Sequence, residues 1–192
     1  MNVFDEVSTQ EIGEIIKQTT SDPAIKGVVI TSAKEAFCAG ADLSMLEGMN
    51  RAYAQLFKEK GEEAANQMLF EQSRQMSLSF RAIETSGKPW VAAINGLALG
   101  GGFEITLACH YRVAAENPKT RLGLPEMKVG LFPGGGGTQR LTRLIGVQAA
   151  LMQMSEGKSW RPNDAKGAGV VHEVVEKGQA VEAAKTWIKN GG

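Results

Sequence analysis

Short apolar runs followed by clusters of glycine and alanine are the feature of this sequence that most restricts its fold. The run 90–94 leads through Asn95 and Gly96 to three consecutive glycines at 100–102, and a second glycine run occupies 134–137. Glycine accounts for 23 of the 192 residues, well above the roughly 7% of an average protein. The glycines are bunched rather than periodic, which excludes a collagen-like chain and indicates places where the backbone must turn tightly or approach a neighbour closely.

Apolar patterning between these clusters predicts alternating strands and helices. Strands are predicted over residues 27–31, 90–94, 111–114 and 169–175, and helices over residues 3–18, 103–109, 138–151 and 180–189, with one or two long helices between 44 and 85. Strands that alternate with helices predict an α/β fold with a largely parallel sheet. The chain shows neither an internal repeat nor an interdomain linker, so one domain is expected at this length.

Composition argues against several classes of protein. Lysine and arginine total 21, as do aspartate and glutamate, so the formal net charge is zero. Nucleic-acid-binding and membrane-surface proteins need a positive field, so neither partner is expected. Cys38 and Cys109 form no disulfide or metal-binding pattern, which indicates a reducing, cytoplasmic location and no metal site. The apolar segment 90–109 contains Asn95 and Glu104, so it predicts a protein core rather than a membrane span.

The glycine runs have two interpretations. A glycine-rich turn between a strand and a helix commonly binds phosphate, since free N–H groups at a helix N-terminus attract anions. However, residues 96–102 do not match G-x-G-x-x-G, and the segment 157–159 lacks the earlier glycine of a phosphate-binding loop, because Met152 stands there. The alternative is that the glycines only permit tight turns and close packing. Patterning alone leaves both interpretations open.

Two glutamates favour a catalytic interpretation. Glu104 lies two residues after the glycine triplet within an apolar segment, and Glu126 follows Pro125 in a second apolar context. A buried carboxylate is unfavourable unless it is paired or functional. Glu104 could instead stabilise a helix N-terminus, and Glu126 could pair with an arginine. Together the two suggest carboxylates near free backbone N–H groups, an arrangement suited to acid–base chemistry beside an oxyanion hole.

Other catalytic patterns are missing or weak. The chain has no G-x-S-x-G motif of a serine hydrolase. His110 and His172 are expected to be structural or surface residues, and Cys38 lacks an evident partner for nucleophilic chemistry. We therefore interpret Cys38 as a small buried apolar residue.

Three segments together resemble the crotonase superfamily, and specifically its enoyl-CoA hydratases. They are residues 35–43 (EAFCAGADL), residues 95–104 (NGLALGGGFE) and residues 124–141, which contain LPE followed by PGGGGTQRL. The resemblance extends over about residues 2–187, with the motifs in the order typical of the family. Residues 132–134 and the long stretch 44–85 are more similar to the hydratase portion of multifunctional fatty-acid oxidation enzymes, which carry a 3-hydroxyacyl-CoA dehydrogenase downstream.

The resemblance implies a ClpP-like fold of stacked ββα turns and a site for a CoA thioester. The backbone N–H groups of Ala41 and Gly101 would form the oxyanion hole, with Glu104 as the catalytic base and Glu126 as the catalytic acid. The implied substrate-binding residues are Ala39, Asp42 and Leu43. No metal or redox cofactor is implied, because CoA is part of the substrate.

The implied reaction is the hydration of trans-2-enoyl-CoA to 3-hydroxyacyl-CoA in fatty-acid β-oxidation. Two alternatives stay open: a Δ3,Δ2-enoyl-CoA isomerase and a catalytically weak assembly domain. Family members have a β-hairpin before the region of residue 2 and further helices at the C-terminus, so residues 1–192 are expected to form a core domain that lacks both. The expected partners are an acyl-CoA thioester and either other copies in a homotrimer or an attached dehydrogenase domain.

Overall fold

Helices and strands alternate along most of the chain in the computed structural model, which describes residues 1–192. The helices are α1 Glu6–Ser21, α2 Leu43–Lys60, α3 Glu62–Glu84, α4 Gly101–Ala108, α5 Gly137–Ile145, α6 Val147–Ser155, α7 Pro162–Gly167 and α8 Ala180–Lys189, with a 3₁₀ helix at Glu126–Val129. The strands are β1 Val28–Ile30, β2 Trp90–Ile94, β3 Ala98–Leu99, β4 Tyr111–Glu116, β5 Leu122–Gly123, β6 Ser159–Trp160 and β7 Glu173–Glu176. The predicted α/β class is confirmed.

Two sheets form the framework. The larger sheet has the strand order β1-β2-β4-β7 and is parallel throughout. The smaller sheet has the order β3-β5-β6, in which β3 and β5 are parallel and β6 is antiparallel to β5. Isolated parallel bridges join Phe4 to Ala41 and Cys38 to Ala98, so the chain around residue 40 lies between the N-terminal segment and β3.

Strand β2 is buried on both faces, as is usual in a parallel sheet that carries helices on each side. Val91 and Ala93 belong to an apolar cluster with α8, whereas Ala92 and Ile94 belong to the main core with α4. Successive side chains of a strand point to opposite faces, which produces this division. The larger sheet therefore separates α8 from the half of the molecule that holds the glycine-rich turns.

Helix α4 lies at the centre of the main core, and all eight of its residues are buried. A helix that is apolar all round must be covered on every side. Burial of Phe103 and Leu107 contributes about 1.5–3 kcal/mol per side chain. The buried Arg112 guanidinium donates from Nη1 to the Cys109 and Thr106 carbonyls at 2.6 and 3.2 Å. This positive charge at the C-terminal end of α4 stabilises the helix.

Helices α2 and α3 form a helical hairpin joined at Gly61. The φ of Gly61 is +84°, a positive value that glycine adopts readily. Helix α2 has no buried residue, whereas α3 buries Ala65, Phe80 and Ile83. The prediction of one or two long helices over 44–85 is thus confirmed, and the structure has two. No helix is both long enough and apolar enough to cross a membrane.

The structure differs from the sequence prediction in several places, among them the helix α7 and the 3₁₀ helix at Glu126–Val129, which were not predicted from the sequence. Residues 138–151 were predicted as one helix, but Gly146 has a φ of +83° and ends α5 before α6 begins. An α-helix requires negative φ, so the chain must break there. The two-residue strands β3, β5 and β6 were not predicted, because strands of that length carry no alternating pattern.

Candidate active site

The first oxyanion donor predicted from the sequence, the backbone N–H of Ala41, is free. The Phe4 N–H donates to the Gly40 carbonyl at 2.8 Å, and the Asp42 N–H donates to the Phe4 carbonyl at 2.8 Å. Because the C=O and N–H of a trans peptide point in opposite directions, the Ala41 N–H points away from Phe4. It forms no hydrogen bond within the chain.

The second predicted donor, the N–H of Gly101, is the first amide of α4 and also lacks a partner within the chain. Such N–H groups at a helix N-terminus carry a partial positive charge. Gly40, with φ of +103°, lies close to the second donor, since a β-carbon placed on it would lie only 3.3 Å from the Gly101 nitrogen. The structure therefore places Gly40, which precedes Ala41 in the chain, against the first amide of α4, and a role of the two free N–H groups as an oxyanion hole stays a prediction.

Glu104 lies in the first turn of α4 and is 2% exposed. Its Oε1 accepts from the Gly135 N–H at 2.8 Å and the Gly137 N–H at 2.7 Å, and its Oε2 also accepts from Gly135 at 2.9 Å. The glycine run at 134–137 wraps around the carboxylate because nothing larger fits. A β-carbon would lie 2.8 Å from Oε2 at Gly135 and 2.9 Å from Oε1 at Gly137.

Opposing effects act on the protonation of Glu104. Burial raises the pKa of the Glu104 carboxyl, whereas the N–H donors of Gly137 and Gly135 and the charge of Arg140 act to lower it. Hydrogen bonds from N–H groups favour the ionised form of a carboxylate. Glu104 is thus held in a geometry that stabilises a buried negative charge.

Glu126 is the first residue of the 3₁₀ helix and is partly buried. Its Oε2 is buried without a hydrogen-bond partner. Its Oε1 lies beside Gly100, the residue before the first amide of α4, since a β-carbon on Gly100 would be 3.4 Å from it. Burial, together with the negative charge of Glu104, raises the pKa of Glu126 to about 7, against the opposing effect of the Glu126 backbone N–H.

The alternative explanation of Glu126, an ion pair with arginine, is wrong, because Glu126 takes part in no salt bridge. The alternative for Glu104, a carboxylate at a helix N-terminus, describes its position but not its contacts. Its hydrogen bonds go to the loop before α5 rather than to its own helix. The pKa of both carboxyls is raised, that of Glu126 to about 7, and only the Glu104 carboxyl accepts hydrogen bonds from the loop before α5. Two carboxyls in such unlike surroundings are a combination suited to general acid–base chemistry.

The predicted substrate-binding residues lie beside the oxyanion donors. The Ala39 N–H donates to the Asn2 carbonyl at 2.9 Å. The Asp42 carboxylate caps α2 by accepting from the Ser44 N–H and Oγ, both at 2.8 Å, and Leu43 is 60% exposed. These contacts account for the local backbone, and a role of the three residues in substrate binding stays a prediction.

The histidines and Cys38 have structural contacts. His110 Nδ1 accepts from the Trp90 N–H at 3.1 Å, and His172 Nδ1 accepts from the Arg112 N–H at 3.1 Å. Cys38 is buried, and burial raises the pKa of its thiol. No cluster of three or more His, Cys, Asp or Glu side chains is placed to hold a metal ion.

Sequence reasoning missed the residues that hold Glu104. The glycine run at 134–137 was recognised without its contact to the carboxylate, and Arg140 and Glu84 were not singled out. A buried arginine in the motif that follows the glycines was the available signal, because a buried guanidinium requires several acceptors.

Comparisons with known proteins show the family and the fold of this chain. Residues 1–190 match the family model described as enoyl-CoA hydratase/isomerase. The chain is 43% identical to the fatty acid oxidation complex subunit alpha of Shewanella frigidimarina over all of its 192 residues, which is 25% of that protein. Among solved structures it is similar to an enoyl-CoA hydratase from Bacillus anthracis (34% identity, TM-score 0.82, 98% of this chain and 67% of that one). It is also similar to Pseudomonas aeruginosa DspI (31% identity, TM-score 0.82, 98% and 70%).

Proposed function

The chain belongs to the enoyl-CoA hydratase/isomerase family, and from that membership we propose that it hydrates trans-2-enoyl-CoA to 3-hydroxyacyl-CoA. Its fold is that of the crotonase-type hydratases. The observation that carries the proposal is the pair of unlike carboxylates: Glu104 accepts three hydrogen bonds that favour its ionised form, while Glu126 has an unpaired oxygen and a pKa raised to about 7. Hydration needs one base and one acid at the same time.

In the proposed reaction the thioester carbonyl accepts hydrogen bonds from the N–H groups of Ala41 and Gly101. Glu104 takes a proton from water as the water oxygen bonds to the β-carbon, and the electron pair of the double bond moves to the thioester oxygen. The enolate then returns that pair to the α-carbon, which takes the proton of Glu126. Glycine and alanine suit the donor positions, because no large side chain stands between the amide and the oxygen.

No cofactor enters this proposal, since the enolate charge is stabilised by fixed N–H dipoles. Removal of one such donor typically costs about 10²–10³ in rate. Substrate contacts at Ala39, Asp42 and Leu43 belong to the proposal as well. The Asp42 carboxylate is occupied in capping α2 and the Asp42 N–H donates to Phe4, so a substrate contact of Asp42 would use its carbonyl group.

The test is to incubate the 192-residue protein separately with a trans-2-enoyl-CoA and a 3-enoyl-CoA and to follow the products by mass spectrometry. We expect a mass gain of one water from the 2-enoyl substrate, at a rate above that of any isomerisation. A Glu104→Gln/Glu126→Gln double variant, purified in the same way, measures background from host enzymes. Isomerisation without hydration would identify an isomerase, and thioester binding without turnover would identify an assembly domain; either result overturns the proposal.

The chain spans about a quarter of the fatty acid oxidation complex subunits that it matches. We propose that it works in fatty-acid β-oxidation, in the cytoplasm, and either next to a 3-hydroxyacyl-CoA dehydrogenase domain or in a homotrimer. Light scattering and mass analysis of the native protein would distinguish these two assemblies.

A further inference from the structure

Arg140 of α5 is a buried arginine whose contacts lead directly to Glu104. Its side chain is 9% exposed and forms a two-pronged ion pair with Glu84 at the end of α3, from Nε to Oε1 at 2.9 Å and from Nη2 to Oε2 at 3.0 Å. Its Nη1 turns the other way and donates to the Gly135 carbonyl at 2.7 Å. One guanidinium therefore ties together the end of α3 and the glycine-rich loop before α5.

Both backbone polar groups of Gly135 form hydrogen bonds with side chains. Its carbonyl accepts from Arg140, and its N–H donates to both oxygens of Glu104. No side chain could replace its hydrogen atom, since a β-carbon would lie 2.7 Å from Phe80 and 2.8 Å from Glu104. The two peptide groups that meet at Gly135 are therefore fixed by hydrogen bonds: the one before it donates to Glu104, and the one after it accepts from Arg140.

We propose that Arg140, itself fixed by Glu84, is a positioning residue: by anchoring the Gly135 carbonyl it fixes the backbone at Gly135, whose N–H aims the Glu104 carboxylate. The inference rests on the proposed function for the role of Glu104. The contacts from Glu84 through Arg140 and Gly135 to Glu104 stand independently of which reaction the site performs.

The charges around Glu104 determine how each substitution should move its pKa. Arg140 of α5 lies on one side of Glu104 and acts to lower its pKa. Glu126 of the 3₁₀ helix interacts with Glu104 as a like charge. Glu84 lies behind Arg140 and also pairs with Arg81 at 3.2 Å on α3. Loss of the Arg140 charge should thus raise the pKa of Glu104, and loss of the Glu84 charge should lower it.

These directions follow from the charge of Arg140 alone, so an ion pair that merely tied α3 to α5 would show them as well. Loss of a merely cohesive pair would lower Tm but leave kcat near the parent value at the pH optimum, and that result would overturn the positioning role. A buried pair is weak evidence for stability, because desolvation offsets much of its attraction. Glu84 is partly solvated, with a side chain 24% exposed, whereas the Arg140 side chain is enclosed and directs its remaining donor to the loop. The arrangement suits an orienting role better than a purely cohesive one.

The experiment compares Arg140→Met, Arg140→Lys and Glu84→Gln with the control Arg143→Met, which changes an exposed arginine of the same helix. For Arg140→Met we expect kcat to fall by about 100-fold, the loss that follows a misplaced catalytic group, with little change in KM. The acid limb of the kcat/KM profile should move to higher pH. Arg140→Lys should keep the acid limb in place and recover part of kcat, because lysine keeps the positive charge but cannot form the paired N–H hydrogen bonds of the guanidinium.

Glu84→Gln should move the acid limb the other way, to lower pH, and Arg143→Met should leave the profile unchanged. Two results would overturn the positioning role. One is an acid limb of the kcat/KM profile in Arg140→Met that matches the wild type. The other is an equal shift of that limb in Arg140→Met and Arg140→Lys. If Arg140→Met does not fold, the opposite behaviour of Arg140→Lys and Glu84→Gln still decides the matter.

A second readout separates this inference from the proposed function. The Glu104 carboxyl carbon can be titrated by ¹³C NMR in protein labelled at glutamate, with Glu104→Gln used to assign the signal. A wild-type protein without hydratase activity overturns the proposed function, while the titration still tests Arg140. We expect the Glu104 midpoint to rise in Arg140→Met and to fall in Glu84→Gln; a midpoint unmoved in both overturns the inference.

Discussion

The two glutamates of the site belong to regions of opposite character. Glu104 stands on α4, where every residue is buried, and both of its oxygens accept from the loop before α5. Glu126 begins a short 3₁₀ helix without a buried residue, and one of its oxygens has no partner. Burial raises the pKa of both carboxyls; two N–H donors of the loop and the charge of Arg140 oppose this at Glu104, whereas only its own backbone N–H opposes it at Glu126.

This contrast shows how one residue type acquires two chemical roles. N–H donors stabilise the carboxylate form, whereas a buried oxygen without a donor favours the protonated form. The like charge of Glu104 raises the pKa of Glu126 further. In the proposed reaction the buried, well-bonded region would provide the base, and the region at the edge of the core would provide the acid.

The largest effect is expected from removal of either carboxylate. Glu104→Gln and Glu126→Gln should each lower kcat by about 10²–10⁴-fold, the range for a lost general acid or base, while acyl-CoA affinity stays nearly unchanged. Steady-state kinetics together with calorimetric titration of a product thioester measure the two quantities. A kcat within about threefold of the parent would remove the assigned role from that residue.

The two substitutions should differ in stability, which sharpens the comparison. An amide at position 104 has only one oxygen to accept from Gly135 and Gly137, so Glu104→Gln should lower Tm. Glu126→Gln removes a group that has no partner for Oε2, so its Tm should not fall. Equal losses of Tm would mean that the two environments are less different than their hydrogen bonds indicate.

The next effect concerns the oxyanion hole that the two glutamates share. At Gly101 a β-carbon would lie 3.2 Å from the Phe4 ring and 3.5 Å from the Met76 sulfur, so Gly101→Val should disturb the donor. We expect a loss of about 10²–10³ in turnover, as for other missing oxyanion donors, together with weaker thioester binding. Unchanged affinity for a CoA thioester would exclude Gly101 from the site. Gly48→Val, on the partly exposed helix α2 with open space around it, is the matched control.

How far sequence reasoning reached also differs between the two regions. Glu104 was identifiable because a carboxylate in an apolar helix is unusual, and the strand 90–94 and the helix 180–189 were predicted with the bounds observed. The oxyanion assignments came from family resemblance, and the structure leaves both amides free of partners within the chain. The contacts of Glu104 to Gly135 and Gly137 join residues 31 and 33 positions apart, so only the tertiary fold reveals them.

The environment of Glu126 could not be predicted from the sequence, for a different reason. Its raised pKa depends on what is missing, a donor for Oε2, and on the distance to Glu104. A local pattern such as Leu-Pro-Glu predicts neither. The break at Gly146 was likewise hidden, because glycine is tolerated within a helical pattern and only its positive φ shows that α5 ends there.

A smaller effect is expected in the pH dependence of activity. Since the acid must be protonated, kcat/KM should decline above the pKa of Glu126, which is about 7, while the acid limb reports the deprotonation of Glu104. Glu104→Gln removes the like charge, so the ¹³C titration midpoint of Glu126 should move to lower pH. A midpoint that stays in place would mean that the two carboxyls do not interact.

The smallest effect, and the one that isolates Glu126 from catalysis, is on stability as a function of pH. The pKa of Glu126 is raised from 4.5 to about 7 in the folded protein, so the folded state binds this proton more tightly than the unfolded state. The stabilisation from that proton is fully present below pH 4.5 and is lost as pH rises through 7. Glu126→Gln cannot ionise, so relative to the parent it should gain about 1–3 kcal/mol in free energy of unfolding between pH 5 and pH 8.

Urea unfolding at the two pH values measures this difference. Glu63→Gln, at an exposed position in the first turn of α3, controls for the removal of one negative charge. An equal gain in both variants would place the cause in net charge, whereas a gain confined to Glu126→Gln would show that the folded protein raises the pKa of this carboxyl, as its burial and the charge of Glu104 predict.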